Sequence, residues 1–401
     1  MLTACPECDT LVQIDQIDSQ KRAVCPNCRC VLCHVQGHHN QLIQAFSFSA
    51  LLFLCASLFP NFITYTQHGI TQVVSLWQAL MLLADHYSYF LAGLFAFTIL
   101  IMPIAVSLLL LLAHTNYWQV INAHNARHLA KLLSALKPLN LTDIFLVAVL
   151  VSAFKLMSFA ELEMGLGFWA YILFVLCFIE ALSLFDHEFM WRNQTQCNLH
   201  LIEPKENATT LPAVLKRCKV CGFLGEGDKC KRCYAKLKYR KAQSIQKSLA
   251  WMLTSVVLLI PANFLPIMDT ISLGLHTPAT IFSGVQVLWE DGSYPVATLI
   301  FLASICIPVL KALLLSYLLI RVKIPKDPLK ATKVYRLLEF IGRWSMIDVF
   351  VVIILVSLVQ LGTVLNVEPE IGIVFFTLMV LCQIAAVNSF DPRLLWDKNN
   401  Q

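Results

Sequence analysis

The sequence predicts an all-α polytopic membrane protein: eight transmembrane helices arranged as two parallel four-helix repeats, each preceded by a small cysteine ribbon. Three observations carry this. Of the 401 residues, 58% are hydrophobic and the mean hydropathy is +0.67, outside the range of soluble globular chains. Apolar stretches that approach the ~20 residues needed to cross a bilayer occur at about 45–64, 89–113, 141–160, 167–185, 248–267, 295–320, 347–366 and 370–389. Finally, residue matches recur at an offset of 205: Ser88-Tyr89 with Ser293-Tyr294, Pro103 with Pro308, Asp143-Ile-Phe145 with Asp348-Val-Phe350, and Phe185-Asp186 with Phe390-Asp391. Further upstream, Pro60-Asn61-Phe62 aligns with Ala262-Asn263-Phe264 at offset 202. An even number of spans per unit gives both copies one orientation, so the repeats are parallel rather than inverted.

The chain opens on Cys5-Pro-Glu-Cys8 and Cys25-Pro-Asn-Cys28, and Cys218-Lys-Val-Cys221 with Cys230-Lys-Arg-Cys233 lies near its middle. Two C-x-x-C knuckles bring four thiolates within reach of one tetrahedral ion, and zinc suits such a donor set best. One zinc site per ribbon is therefore expected. A single C-x-x-C also admits a redox reading, but two quartets of paired pairs favour metal. In the first ribbon Cys30 and Cys33 offer alternative ligands. Cys55, Cys177, Cys197, Cys306 and Cys382 read as small buried hydrophobes, and His34, His38 and His39 as solvated histidines.

Charge gives the orientation. Segments 65–88, 161–166, 268–294 and 367–369 contain no Lys or Arg, whereas 114–140 has three, 187–247 thirteen and 321–346 seven. The positive-inside rule then places both termini and both ribbons in the cytoplasm. The N-terminal cysteine cluster predicts no cleavable signal peptide. The expected domains are ribbon 1 at 1–40, a transmembrane unit at 41–190, a basic linker with ribbon 2 at 191–245, a second unit at 246–391 and a cytoplasmic tail at 392–401.

Within the units, the break at Pro60-Asn61 ends the first span, and 65–87 reads as a weakly hydrophobic interfacial segment. Pro103 and Pro308 predict kinks inside the second and sixth spans. Leu129, Leu132, Leu133 and Leu136 recur at i, i+3, i+4 and i+7, as do Val334, Leu337, Leu338 and Ile341, with basic residues between them. Each set predicts an amphipathic helix in the inner-leaflet interface.

Ionisable residues in hydrocarbon are costly and so informative. Of the thirty Lys and Arg, only Lys155 and Lys311 fall within the spans. Asp143 and Asp348 open the third and seventh spans, where an acid complements the helix dipole, and Glu180 lies inside the fourth. Lys155, whose counterpart is Gln360, is expected to pair with Glu180 or to line a cavity. Lys311 is expected to snorkel towards the cytoplasmic face. No phosphate loop, H-E-x-x-H or nucleophile motif is present, so the reading is of a non-enzyme. The basic stretch around 216–247 suits a lipid surface, and no nucleic-acid partner is expected.

Two C-x-x-C ribbons, two four-span units, and Asp143-Ile-Phe145 set against Trp344-Ser-Met-Ile-Asp348-Val-Phe350 together resemble the paraquat-inducible protein A (PqiA/LetA) family over nearly the whole chain. The resemblance implies a bacterial inner-membrane protein with zinc-binding ribbons and four-helix units like tetraspanin or glutamate-receptor auxiliary folds. It also implies a periplasm-spanning MCE-domain partner and phospholipid cargo; together with the intramembrane charge, this leads to the expectation that lipid enters laterally between helices near the Lys155 and Asp348 positions. Two rival readings are a zinc- or redox-responsive scaffold, and a proton-coupled small-molecule transporter using Glu180 and Lys155.

Overall fold

The computed structural model describes residues 2–13, 22–34, 40–67, 70–85, 89–114, 123–136, 140–156, 161–185, 215–272, 275–290, 292, 294–324, 326–359 and 365–397. The first ribbon pairs β1 (Leu2–Ala4) with β2 (Leu11–Gln13) and β3 (Arg22–Val24) with β4 (Val31–His34). Helix α1 (Asn40–Leu58) leads into strands β5 (Ile63–Gln67) and β6 (Ile70–Val74) and helix α2 (Leu76–Asp85). Then come α3 (Tyr89–Ala96), a π-helical turn (Phe97–Ile101), α4 (Met102–His114), α5 (Ala123–Leu136), α6 (Thr142–Leu156), β7 (Glu161–Met164) and α7 (Leu166–Leu184). The second ribbon pairs β8 (Lys216–Arg217) with β9 (Leu224–Gly225).

The remaining elements follow the same order. They are α8 (Ser244–Phe264), β10 (Met268–Ser272), β11 (Leu275–Ala279), α9 (Ile281–Glu290), α10 (Tyr294–Phe301), a π-helical turn (Leu302–Cys306), α11 (Ile307–Lys323), α12 (Pro328–Trp344), α13 (Met346–Val359), β12 (Leu365–Pro369) and α14 (Ile371–Ser389).

Six stretches among the described residues are long and apolar enough to cross a membrane: Gln41–Leu58, Tyr89–Ala113, Leu166–Leu184, Ser244–Phe264, Leu302–Lys323 and Ile371–Ser389. The expected third and seventh spans are shorter helices, 15 residues in α6 and 14 in α13. At ~1.5 Å per residue each covers roughly 22 Å, less than the ~30 Å hydrocarbon layer. Residues 157–160 and 360–364 of those expected spans lie outside the described residues.

The all-α expectation is corrected at the end of the bundle away from the ribbons. There β6-β5-β7 and β11-β10-β12 form two antiparallel three-stranded sheets. Ile63-Thr-Tyr-Thr-Gln67 and Ile70-Thr-Gln-Val-Val74 are β-branched and alternating, a strand signal that weak hydrophobicity hid. The hydrogen bonds also correct the upstream alignment. Phe62 N–H donates to the Val74 carbonyl (2.8 Å) as Ile267 N–H does to Ala279 (2.9 Å), so Phe62 corresponds to Ile267 at offset 205. Asn263 and Phe264 instead belong to the last turn of α8.

Pro103 and Pro308 each follow a π-helical turn rather than a simple kink. Met102 N–H reaches back five residues to the Phe97 carbonyl, and Ile307 N–H to Leu302. The wider turn takes up the irregularity that a ring without an N–H would impose on an α-helical ladder.

Helix α1 packs along α7 and α8 along α14. Glycines set the closeness of both pairs: a Cβ on Gly165 would lie 2.0 Å from the Asn61 carbonyl oxygen, and one on Gly372 2.3 Å from that of Pro266. The halves meet where α6 packs on α13, with Phe145 and Phe350 edge-to-face at 5.6 Å and 89°. Both are fully buried, and they are 205 positions apart.

Candidate metal centres and a buried polar cluster

All four knuckles fold alike. In each, the first Cys carbonyl accepts from the N–H four residues on: Asp9 to Cys5 (3.1 Å), Arg29 to Cys25 (2.9 Å), Gly222 to Cys218 (3.0 Å) and Tyr234 to Cys230 (2.9 Å). Those four donors hold positive φ (57°, 60°, 70° and 56°). The left-handed residue turns the chain so that both sulfurs of a knuckle point inward. The first Cys N–H in turn donates to the carbonyl five residues on, as Cys5 does to Thr10 (3.0 Å) and Cys230 to Ala235 (2.9 Å).

Cys5, Cys8, Cys25 and Cys28 thus form one buried group, and Cys218, Cys221, Cys230 and Cys233 another, with the sulfurs of each all within 4.8 Å of one another. Cys5–Cys28 is 3.4 Å and Cys8–Cys25 3.6 Å in the first, and Cys218–Cys233 is 3.4 Å and Cys221–Cys230 3.5 Å in the second. These are no disulfides. They approach the ~3.8 Å edge of a tetrahedron with metal–sulfur bonds of ~2.3 Å. Burial, then crowding by the other thiols, pushes Cys28 and Cys233 up to about 12, so a central cation is what such a group requires to hold thiolates. The residues present fit a tetrahedral soft-ligand metal.

Cys30 is half-buried and its sulfur sits 3.6 Å from the Val31 carbonyl, outside the first quartet. The Cys33 side chain lies outside the described residues. Of the scattered cysteines, Cys382 is buried as expected, whereas Cys55 is exposed and Cys177 and Cys306 are half-buried; Cys197 lies outside the described residues.

The intramembrane residues are placed one by one. Asp143 is exposed in the first turn of α6. The helix start is held by Asn140, whose Oδ1 accepts from Thr142 N–H (3.3 Å) and hydroxyl (2.5 Å). Glu180 is also exposed, accepting from Ser183 at 3.0 Å. The side chains of Lys155 and Asp348 lie outside the described residues, as does Gln360. Lys311 does not snorkel. It is 2% exposed, with Nζ 3.5 Å from the Gly342 carbonyl.

Around Lys311 the second half is polar. Gln383 Nε2 donates to the Pro308 carbonyl at 3.2 Å, one turn before Lys311, while its Oε1 is buried with no partner among the described residues. Ser345 is 4% exposed and its hydroxyl likewise has none among them. Asp348 follows one turn later. At the matching positions the first half carries Val106 for Lys311 and Phe178 for Gln383, both fully buried. Its interior is filled by rings: Phe95–Phe145 (5.6 Å), Phe145–Tyr171 (5.3 Å), Tyr171–Phe174 (5.3 Å) and Phe174–Phe178 (5.6 Å). Gln383 and Ser345 escaped sequence reading because a lone Gln or Ser in an apolar run carries no charge signal. The asymmetry between the matched positions was available to it.

Apolar helices and two four-cysteine ribbons define a multipass membrane protein with compact appendages that could each hold a metal ion. The paraquat-inducible protein A family model matches residues 41–195 and again 245–400, and the chain belongs to that family. It is 34% identical over 98% of its length to the intermembrane transport protein PqiA of Escherichia coli K12, covering 95% of that relative. It is 28% identical to the lipophilic envelope-spanning tunnel protein A of the same strain, covering 98% of this chain and 90% of that one. A probable intermembrane transport protein of Haemophilus influenzae is 25% identical, with 98% and 95% covered. No solved structure matches.

Proposed function

We propose that the chain is the inner-membrane subunit of an intermembrane lipid-transport system, loading or receiving phospholipid for a periplasm-spanning MCE-domain partner. It would cross the membrane eight times as two parallel four-helix units, with domain limits at 1–40, 41–190, 191–245, 246–391 and 392–401. Both termini and both zinc-loaded ribbons face the cytoplasm in this reading, and the sheets face the periplasm. The intermembrane roles named for the relatives support it.

The observation that carries the reading is Lys311, buried within an apolar membrane unit with Nζ 3.5 Å from the Gly342 carbonyl, in the unit that also buries the Ser345 hydroxyl and Gln383 Oε1 with no partner among the described residues. A primary ammonium there supplies the charge that a phosphate head group needs, and hydroxyl and amide groups supply hydrogen bonds. The acyl chains remain among the apolar helices. The first unit, with its ring-filled interior, acts as the rigid partner, lipid would enter laterally between helices near the Lys155 and Asp348 positions, and Asp143 and Glu180 are further polar positions. Zinc, when bound, supplies structural cross-linking of the ribbons and no chemistry.

Purifying the tagged protein from its native membrane in mild detergent tests this, with mass spectrometry of co-purifying proteins and lipids and zinc measured on the same sample. An MCE-domain protein, enriched phospholipid and about two zinc ions per chain are expected. Zinc without lipid or MCE partner would overturn the transport reading in favour of a metal-responsive scaffold.

A further inference from the structure

The first ribbon does not sit on the unit that follows it in sequence. Its four cysteines share a hydrophobic cluster with Leu315, Leu318 and Leu319 of α11, Tyr335 and Leu338 of α12, and Phe390 and Trp396 beyond α14. The second quartet falls instead in the cluster that holds Ala130 and Leu133 of α5.

Acids within the first knuckle hold this crossed docking. Glu7, between Cys5 and Cys8, accepts from Arg336 Nε at 3.1 and 3.0 Å and also from its Nη2. The same Nη2 donates to the carbonyl of Cys28 at 2.8 Å. Asp9, the left-handed residue of that knuckle, pairs with Arg240 and, at 3.4 Å, with Arg393. Arg240 continues to Asp397, and Arg393 grips Asp391 through Nε and Nη2 at 2.9 Å each. Trp396 donates to Thr332 of α12 at 3.0 Å.

The matching residues of the second knuckle are Val220 and Gly222, and Lys131 takes the place of Arg336. Within the second ribbon Lys216 pairs with Asp228, while Arg240, at that ribbon's exit towards α8, joins the clamp through Asp9 and Asp397. The knuckle acids that hold the clamp are therefore written into the first ribbon only.

We propose that metal loading of the first ribbon locks α12 in place through Arg336, a positioning residue, and so sets the Gly342 carbonyl against Lys311. The route is short: Gly342 lies six residues along the same helix, ~9 Å at helical rise. With a metal in the first quartet, Cys5, Cys8 and Cys28 are fixed, and so are the Glu7 carboxylate and the Cys28 carbonyl that together accept from the Arg336 guanidinium. Without it the knuckle loosens, the bidentate pair opens, and the end of α12 is released from the C-terminal clamp. The first ribbon thereby acts as a metal-dependent strut on the second unit, and the second ribbon does not.

The inference rests on the metal reading of the ribbons, so the full chain in nanodiscs is first assayed for metal by mass spectrometry. Hydrogen–deuterium exchange is then followed in 328–344 and 391–397. Cys5→Ser/Cys8→Ser is expected to lose one metal and to speed exchange in both segments by roughly tenfold or more. Cys218→Ser/Cys221→Ser is expected to lose the other metal with those segments unchanged. Arg336→Gln leaves every ligand intact, so it should retain both metals yet reproduce the faster exchange in α12. The exchanged pair Glu7→Arg with Arg336→Glu should restore protection.

A chain with no metal overturns the metal reading and the inference with it. Two bound metals with α12 protection unaffected by emptying the first ribbon, or equally affected by emptying the second, overturn the inference alone. Unchanged exchange in Arg336→Gln does the same, and that variant decides the matter even if the cysteine variants do not fold.

Discussion

Lys311→Met separates a substrate site from a structural lysine. At 2% exposure the amine has left water, at an effective cost of several kcal/mol for an ion. The Gly342 carbonyl at 3.5 Å, beyond the usual 2.7–3.2 Å of an N–H···O bond, is one of the groups that return part of that cost. The Ser345 hydroxyl and Gln383 Oε1 add two unpartnered buried oxygens, each worth ~1–3 kcal/mol of destabilisation. A methionine of similar length removes the charge and keeps the volume, so the empty protein should lose little stability. A hydrogen bond to a charged group contributes ~1.5–3 kcal/mol, so head-group affinity should fall roughly 10- to 150-fold. The two readouts are the melting temperature of the detergent-solubilised protein and the phospholipid retained after purification. A variant that melts several degrees lower while keeping its lipid would refute the reasoning, because Lys311 would then be supporting the fold rather than binding anything.

Gly165→Ala and Gly372→Ala place a methyl group 2.0 and 2.3 Å from backbone carbonyl oxygens. Each forces a helix pair apart by about an ångström and endangers the Gly167 to Asn61 or Gly372 to Pro266 hydrogen bond (2.9 and 3.0 Å); losses of ~2–4 kcal/mol are expected in thermal unfolding. Phe145→Ala opens a cavity at the contact between the halves and should cost ~3–5 kcal/mol by the same assay. Burial alone would raise Asp391, but hydrogen bonds and charge from Arg393, with Lys241, outweigh it and hold the carboxyl at about 2. Its folded value lies below its unfolded one, so it contributes roughly 2 kcal/mol above about pH 4, lost as pH falls through 2. Asp391→Asn should flatten that acid limb of the melting-temperature profile. Cys230→Ser should remove one metal per chain, measured by mass spectrometry, and leave the first ribbon loaded.

Six of the eight expected spans, the ribbons and the offset of 205 were legible because hydrophobic runs and Cys spacing are local patterns that tertiary context does not overwrite. The sheets were missed because Ile63–Gln67 and Met268–Ser272 are five-residue strands whose pairing partners, β7 and β12, come almost a hundred residues later. Lys311 was undervalued for a related reason. Position along a helix suggested that its long chain reaches water, but the direction of the side chain is set by neighbours on α12 and α14. Nothing in the sequence says that Glu7 meets Arg336, since an acid in a knuckle and a base on an amphipathic helix each look like solvated charges. The crossed docking of the ribbons belongs to three-dimensional assembly, and the two units look alike until their interiors are compared position by position.

When a residue touches its own counterpart, as Phe145 touches Phe350, the contact lies on an axis of rotation. Each of α6 and α13 then meets its equivalent there, as the two subunits of a dimer would. Such an axis leaves the flanks independent. One lobe is able to fill with stacked rings while the other collects an amine, a hydroxyl and an amide, provided the pair at the pivot is kept. The covalent linkage of the two lobes is what permits this. A true homodimer would have to carry the amine on both sides or on neither, whereas a tandem chain is free to make one lobe the bearing and the other the working face.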